Sequence, residues 1–356
     1  MELVTIGAFA RAARLSPKAL RLYDELGLLP PAAVDDESGY RFYEPGQLGR
    51  ARLIAWLRRL GMPLARIRTV IDLDDAGAAA AVASYWAEVV AETAGRGQLA
   101  TFLVDYLNGT GGAVTDAAAT LGIRYAARTD AGKVRTSNED AAYAGGRLLV
   151  VADGVGGAAG GSASAAAVAA LRPLEARAVP AHELLNALAE AVGDVERAVQ
   201  DIAATDGGEA VTTLTAMLWS GSRLGLIHIG DTRAYLLRDG ELFQITHDHT
   251  WVQSLVDDGR LSPAEAESHP RRAMLLRAIT AGGGHRPDLS VHDAMAGDRY
   301  LLCSDGLTQV VPAESARAVL IRRSSPDEAV EELIALAHAG GAPDNIACVV
   351  AEVVTL

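Results

Sequence analysis

In the stretch LLVVADGVGG, residues 148–157, an apolar run stops abruptly at one aspartate, and a glycine-rich turn follows. A short apolar run bounded by a turn predicts a buried strand, which here delivers the Asp153 carboxylate to its end. Glycines let the backbone approach closely, and hard divalent cations prefer oxygen ligands, so Asp153 and the Gly154 carbonyl are candidate metal ligands. An ordinary turn is the alternative, because Asp-Gly is among the commonest turn dipeptides.

Two further aspartates stand in the same local context. Asp305 follows the apolar run of residues 300–303, and Asp344 precedes the apolar run of residues 346–350. Three carboxylates at strand boundaries, with no cysteine or histidine among them, predict a site for Mg²⁺ or Mn²⁺ rather than for Zn²⁺. Because the pattern recurs, we favour a metal site over three unrelated turns.

An arginine lies upstream, in the segment GKVRTSNED of residues 132–140. The planar guanidinium donors of Arg135 match two phosphate oxygens, so a metal site could use this residue to hold a phosphate. At this point the order of five segments resembles the bacterial metal-dependent Ser/Thr protein phosphatase (PPM) family over residues 120–354. The segments are residues 135–140, 152–157, 230–233, 304–306 and 344–345.

The resemblance implies a C-terminal α-β-β-α sandwich and a set of metal ligands. Two Mn²⁺ or Mg²⁺ ions would be bridged by Asp153 and a water, with the Gly154 carbonyl, Asp305 and Asp344 completing the inner set. Asp231 matches the position that contributes to a third, weaker metal in bacterial relatives. A turn-capping role for Asp231 is the alternative, so a third ion stays open.

The same resemblance implies catalytic roles for Arg135, Asp140 and Asp153. Arg135 would hold the phosphate of a phosphoserine or phosphothreonine protein substrate, and Asp140 would orient the attacking water. The reaction would be an in-line displacement by a metal-activated water without a covalent phosphoenzyme.

The N-terminal segment predicts short helices. Thr5 can cap a helix over residues 6–13, and Ser16 followed by a proline starts a second helix over residues 17–26, which Gly27 ends. Residues 28–43 read as a hairpin or wing, and further helices follow over residues 45–60 and 64–73. These helices alone are a generic arrangement.

Four segments of residues 2–73 resemble the winged helix-turn-helix domain of MerR-family transcription regulators: IGAFA at 6–10, LRLYDELGL at 20–28, GYRFY at 39–43 and LGMPL at 60–64. The resemblance implies that the second helix enters a major groove of double-stranded promoter DNA while the wing contacts the backbone. The implied DNA-binding residues are Ser16, Lys18, Arg21 and Tyr23 in the helix and Tyr40, Arg41 and Tyr43 in the wing.

A heptad-like apolar register follows over residues 76–108 and predicts a long helix. It resembles the helix through which MerR-family regulators pair antiparallel, and this resemblance implies a homodimer. Gly95 and Gly97 oppose the long helix, because each glycine costs about 1 kcal/mol relative to alanine in a helix. The register positions are Val82, Trp86, Val89, Leu103 and Leu107, with Thr93, Arg96 and Ala100 at weaker places.

The expected organisation is an α+β chain of four parts. The first two are an all-α winged helix-turn-helix domain over residues 1–75 and a dimerisation helix over 76–108. A glycine-rich linker over 109–119 and a phosphatase domain over 120–356 follow.

Charge is divided unevenly between these parts. Residues 1–70 hold 11 Lys and Arg against 7 Asp and Glu, a net of +4, whereas the remainder holds 21 against 38, a net of −17. Only the first segment is therefore suited to nucleic acid. The two cysteines lie in apolar runs and suggest no disulfide framework. With no signal peptide and no apolar stretch of about 20 residues, we expect a cytoplasmic protein without a membrane partner.

Three functional hypotheses remain. The first is a DNA-binding transcription regulator with an active phosphatase domain. The second is a regulator whose phosphatase fold is a low-activity sensor, which the retention of Arg135, Asp140, Asp153, Asp305 and Asp344 disfavours. The third is a phosphatase whose helix-turn-helix binds protein, which the arginines of the N-terminal helices disfavour.

Overall fold

The computed structural model describes residues 3–36, 38–107, 121–206, 209–283 and 286–356. It divides into two compact units, one of Met1–Val89 with Trp251–Arg272 and one of Val90–Thr250 with Ala273–Leu356. The expected linker over residues 109–119 lies outside the described residues. In the described part of the chain, no helix is long and apolar enough to cross a membrane.

The N-terminal part of the first unit combines short helices with a three-stranded sheet of order β1-β3-β2. The capped helix starts are confirmed: Thr5 Oγ1 accepts from the Ala8 N–H at 3.4 Å, and Ser16 Oγ accepts from the Ala19 N–H at 3.0 Å. The elements are β1 (Val4–Thr5), α1 (Ile6–Ala13), α2 (Pro17–Glu25), β2 (Ala33–Val34), β3 (Arg41–Tyr43), α3 (Leu48–Arg59), α4 (Leu64–Ile71) and α5 (Asp75–Leu107).

One buried cluster holds these elements together. Phe9, Leu20, Ile54 and Ile67 are fully buried, and the Tyr43 ring stacks on Phe9 with 4.7 Å between ring centroids. The cluster therefore joins α1, α2, α3 and α4 to the wing strand β3.

The long helix α5 is continuous over 33 residues, as the apolar register predicts. Trp86 is 49% exposed and Val104 is 55% exposed. The side chains of Arg96, Leu103 and Leu107 lie outside the described residues. Pairing through this helix stays a prediction.

The second unit contains two antiparallel sheets. One has the strand order β11-β10-β14-β15-β4, and the other has the order β12-β7-β6-β8-β9-β13 with β5 paired to β6. Their strands are β4 (Leu121–Asp130), β5 (Asp140–Ala144), β6 (Leu148–Val155), β7 (Val211–Thr212), β8 (Leu214–Ser220), β9 (Arg223–Ile229), β10 (Arg233–Arg238), β11 (Glu241–Gln244), β12 (Ile279–Thr280), β13 (Asp288–Asp293), β14 (Arg299–Cys303) and β15 (Ile346–Thr355).

Helices cover the outer face of each sheet and complete an α-β-β-α sandwich, which confirms the expected fold. α6 and α8 pack on the sheet that contains β6, and α12 and α13 pack on the sheet that contains β15. The helices are α6 (Ala158–Leu171), α7 (Pro173–Ala176), α8 (Leu184–Asp206), α9 (Trp251–Asp257), α10 (Pro263–Glu267), α11 (Asp305–Thr308), α12 (Ala313–Arg322) and α13 (Pro326–Ala339). Of these, α9 and α10 belong to the first compact unit.

Strand β6 is buried on both faces, which explains its unbroken apolar sequence. Leu148, Val150 and Ala152 face the α6 and α8 layer. Leu149 and Val151 face the interior between the two sheets. The strand thus reaches Asp153 with its preceding residues packed on both sides, and it continues two residues further than the sequence predicted, to Val155.

Candidate active site

Five aspartates come from five separate connections of the sandwich. Asp140 begins β5 and lies opposite Asp153 of β6 in the strand register. Asp231 lies between β9 and β10, Asp305 begins α11 directly after β14, and Asp344 precedes β15. Burial raises the pKa of Asp153 well above its ordinary value, and the charges of the other four aspartates raise it further. The structure therefore brings together all the aspartates that the sequence singled out.

Two threonines hold the backbone of Asp153. Its N–H donates to Thr213 Oγ1 at 3.0 Å, and its carbonyl accepts from the Thr213 N–H at 2.8 Å and from Thr212 Oγ1 at 3.0 Å. Both threonines are buried. The backbone that carries the Asp153 carboxylate is consequently held in place.

Gly154 is required by close packing. A Cβ at this position would lie 2.1 Å from the Gly160 carbonyl oxygen and 2.7 Å from the Glu139 carbonyl oxygen. The Gly154 N–H donates to that Glu139 carbonyl at 3.1 Å. Only glycine allows this end of β6 to approach the neighbouring backbone so closely.

Asp140 is buried beside Asp153. Its Oδ2 accepts from Ser304 Oγ at 2.6 Å, and Ser304 Oγ in turn accepts from the Ala347 N–H at 2.8 Å. Burial raises the pKa of Asp140 to about 7 against the lowering effect of the Ser304 hydrogen bond, and the Asp305 and Asp344 charges raise it further.

Arg135 lies at the half-exposed rim of this cluster. One guanidinium nitrogen donates to Asp344 Oδ2 at 2.8 Å, and this hydrogen bond raises the pKa of Arg135. The proposed phosphate-binding group therefore contacts a proposed metal ligand directly.

Asn345 was not assigned a role from the sequence, although it directly follows Asp344. Its side-chain amide donates to the Ala131 and Ser137 carbonyls at 2.9 and 2.7 Å, and its Oδ1 accepts from the Glu139 N–H at 2.9 Å. These bonds fasten the loop that carries Arg135 to the start of β15. The Asp-Asn pair directly before an apolar run was the signal that the sequence offered.

The remaining two aspartates are Asp305 and Asp231. Asp305 Oδ2 accepts from Gln309 Nε2 at 2.7 Å. Burial raises the pKa of Asp305, and the Asp344 charge adds to the effect. Burial raises the pKa of Asp231 well above its ordinary value, and the Asp305 charge acts in the same direction.

The chemistry of this donor set fits divalent cations. Several buried carboxylates close together repel one another, and this is unfavourable unless bound protons or cations compensate their negative charge. Among the described residues, no three His, Cys, Asp or Glu side chains form a ready-made metal cage. The oxygen donors of the five aspartates are of the kind that Mg²⁺ and Mn²⁺ prefer.

The structure separates the implied DNA-binding residues into two groups. Lys18 and Arg21 are exposed on α2, whose N-cap is Ser16, and Tyr40 is 47% exposed in the wing. These four residues are available to a ligand.

The other three are engaged in the domain itself. Tyr43 is fully buried against Phe9, which corrects the expectation that its side chain contacts DNA. Tyr23 is only 6% exposed. Arg41 Nε donates to Asp24 Oδ2 at 2.6 Å and bridges the wing to α2.

Two family models match the chain. The model for MerR HTH family regulatory proteins matches residues 4–74, and the model for protein phosphatase 2C matches residues 131–338. The second match covers more than half of the chain.

Named relatives are similar to the second part. The serine/threonine protein phosphatase PstP of Mycobacterium tuberculosis is 52% identical over 242 residues, which are 66% of this chain and 46% of that protein. The chain thus spans less than half the length of PstP. The serine/threonine phosphatase stp of Listeria welshimeri is 35% identical over 239 residues, which are 63% of this chain and 94% of that protein.

Solved structures agree. The crystal structure of M. tuberculosis PstP/Ppp has a TM-score of 0.62 and 49% identity, covering 65% of this chain and 98% of that one. The catalytic domain of PstP in complex with two manganese ions has a TM-score of 0.61 and 48% identity, covering 66% of this chain and all of that one.

Proposed function

Because this chain belongs to the protein phosphatase 2C family, we propose that residues 120–356 hydrolyse the phosphate esters of phosphoserine and phosphothreonine in proteins. One observation carries the proposal: five carboxylates meet at the end of β6 with the Arg135 guanidinium at their rim. This arrangement places a centre that needs cations beside donors that match phosphate oxygens.

The carboxylates would hold Mn²⁺ or Mg²⁺. When bound, two such ions lower the pKa of a water and stabilise the oxygens of an in-line displacement. Asp231 is the candidate ligand of a third ion. The candidate ligands of the two main ions are Asp153, the Gly154 carbonyl, Asp305 and Asp344.

The chain's own groups would position the reactants. Arg135 exchanges its contact with Asp344 for the phosphate of the substrate, to which it donates in a fixed planar geometry. Asp140, held by Ser304, accepts a hydrogen bond from the attacking water and orients it. Asn345 fastens the loop that carries Arg135, so that Arg135 stays in position to bind the phosphate beside Asp140.

The test is Mn²⁺-dependent hydrolysis of a phosphothreonine peptide by the full chain. Asp153→Asn and Asp305→Asn each remove a proposed ligand charge, so we expect losses larger than the ~10–100-fold typical of an outer-shell partner. Asp293→Asn is the control, because Asp293 is a half-exposed β13 residue that pairs with Arg223. Wild-type rates in both ligand variants would refute the proposal, and an inactive chain that binds Mn²⁺ would favour the sensor hypothesis.

We also propose that the N-terminal part is a transcription regulator. Residues 1–75 would bind double-stranded promoter DNA and residues 76–108 would pair two chains into a homodimer in the cytoplasm, with residues 109–119 as the linker to the phosphatase domain. The match of residues 4–74 to MerR regulators and the exposed Lys18 and Arg21 on the capped helix α2 support this.

The salt dependence of DNA affinity tests this part. Each phosphate contact contributes a slope of about −0.9 in log affinity against log salt, because bound counterions are released. The double variant Lys18→Ala, Arg21→Ala is expected to reduce the slope by roughly 2 on a duplex of arbitrary sequence. Arg177→Ala in the second unit is the control. Salt-independent binding would point to a protein partner instead.

A further inference from the structure

A buried polar layer lies next to the Gly230–Asp231 turn. Thr215 Oγ1 is 2.9 Å from His228 Nδ1 and 2.7 Å from Thr232 Oγ1. The rings of His228 and His249 are 4.7 Å apart at their centroids. All four residues are at most 4% exposed, and none belongs to the proposed metal or phosphate ligands.

His249 holds both backbone groups of Gly230. The Gly230 N–H donates to His249 Nδ1 at 3.1 Å, and the His249 N–H donates to the Gly230 carbonyl at 2.7 Å. Gly230 has a φ of +112°, and a Cβ there would lie 2.5 Å from Thr213 side-chain atoms. The backbone that immediately precedes Asp231 is thereby fixed, which restricts the directions that the Asp231 side chain can take.

His249 also joins the two ends of residues 251–274. Its carbonyl accepts from the Leu276 N–H at 2.8 Å, and the next residue, Thr250, forms a bridge with Leu275. His249 therefore links the Asp231 turn to both ends of the long segment between β11 and β12.

A carboxylate orients the His249 ring. Because Nδ1 accepts from Gly230, the ring proton is assigned to Nε2, which donates to Asp288 Oδ2 at 3.0 Å. Asp288 Oδ1 accepts from Arg277 at 2.9 Å. Asp288 is about half exposed while His249 is buried, so the pair runs from the surface to the turn.

We propose that His249, oriented by Asp288, is a positioning residue that sets the affinity of Asp231 for a third divalent cation. This inference rests on the proposed metal chemistry and deepens it. His249 touches neither cation nor substrate. It acts through the Gly230 backbone, in the way that outer-shell carboxylates and histidines orient metal ligands elsewhere.

The test is calorimetric titration of the metal-free full chain with Mn²⁺, which does not require turnover. We expect two tight sites and one weak site, with the weak site lost in Asp231→Asn. Asp288→Ala and His249→Gln are expected to weaken only the weak site, by roughly 10–100-fold. Asp293→Ala is the matched control, because it removes a carboxylate of similar exposure from the same strand.

Asp288→Ala changes a half-exposed side chain and thus keeps the test valid if His249→Gln fails to fold. A weak site of unchanged affinity in Asp288→Ala, or a wild-type chain that binds only two ions, would overturn the inference. Three sites with the expected shifts in a chain that hydrolyses no phosphopeptide would support the inference while refuting the proposed enzyme.

Discussion

At the scale of single residues, close backbone approach decides which side chains the site tolerates. Gly306 shows the rule as clearly as Gly154 does, since a Cβ at Gly306 would lie 1.9 Å from the Asn345 carbonyl oxygen. Both glycines directly adjoin a proposed ligand residue. These two Asp-Gly pairs therefore reflect close packing against neighbouring backbone as well as local turn preference.

Gly154→Ala is expected to destabilise the fold by at least the ~1–3 kcal/mol typical of overpacking, because the new methyl group meets two backbone carbonyls. Urea unfolding of the full chain measures this. Gly193→Ala is the matched control, since Gly193 lies in α8 with no atom within 4 Å of its Cβ position. Alanine there is expected to stabilise by up to about 1 kcal/mol. Equal midpoints for the two variants would contradict the packing argument.

At the scale of elements, local signals predicted helix starts and distant contacts determined the site. The caps of Thr5 and Ser16 act over three residues, so the sequence alone was sufficient to place α1 and α2. The apolar run that leads to Asp153 predicted β6 because it is also a local signal. The roles of Thr213 and Asn345 depend on partners 60 and 206 residues away, which no local pattern encodes.

The hairpin of β5 and β6 also had a local signal in the sequence. The Gly145–Gly146 turn between them was the available signal. The resemblance of the two parts to the MerR and phosphatase families rests on several motifs in the same order. The order of motifs does not depend on where each helix or strand begins and ends.

The junction of β15 with the Arg135 loop allows a separate test. Asn345→Ala removes three hydrogen bonds and leaves buried backbone groups unpaired, so we expect a loss of about 1–3 kcal/mol for each group left unsatisfied. We also expect KM for a phosphopeptide to rise more than kcat falls, because the Arg135 loop loses its anchor. Asn345→Asp keeps the acceptor for the Glu139 N–H but places a buried carboxylate oxygen against the Ala131 and Ser137 carbonyls, so it is expected to be at least as destabilising as the alanine variant. An unchanged KM in the alanine variant would argue against the anchoring role.

At the scale of the whole molecule, buried histidines link stability to pH. Burial lowers the pKa of His228 to about 4 and that of His292 to about 4, whereas an unfolded histidine titrates near 6.5. The unfolded chain therefore binds more protons between these values. The stabilising contribution is complete above pH 6.5 and is lost as the pH falls towards 4.

His228→Gln isolates this effect, because glutamine does not titrate. The difference in unfolding free energy between wild type and variant is expected to shrink by about 1.4 kcal/mol for each pH unit below 6.5. Urea unfolding at several pH values between 7 and 4.5 measures it, and the subtraction removes the opposing contribution of the site aspartates. A difference that is constant with pH would show that His228 is not held neutral.

The burial of β6 on both faces has a consequence for hydrogen exchange at its backbone amides. Its amides are covered by helices on one side and by the second sheet on the other, so they exchange with solvent deuterium only when the domain opens globally. The free energy needed to open the strand near Asp153 is then expected to match that of unfolding the whole domain. Exchange at β6 should be among the slowest in the chain, and this region should lose its order only when the domain unfolds as a whole.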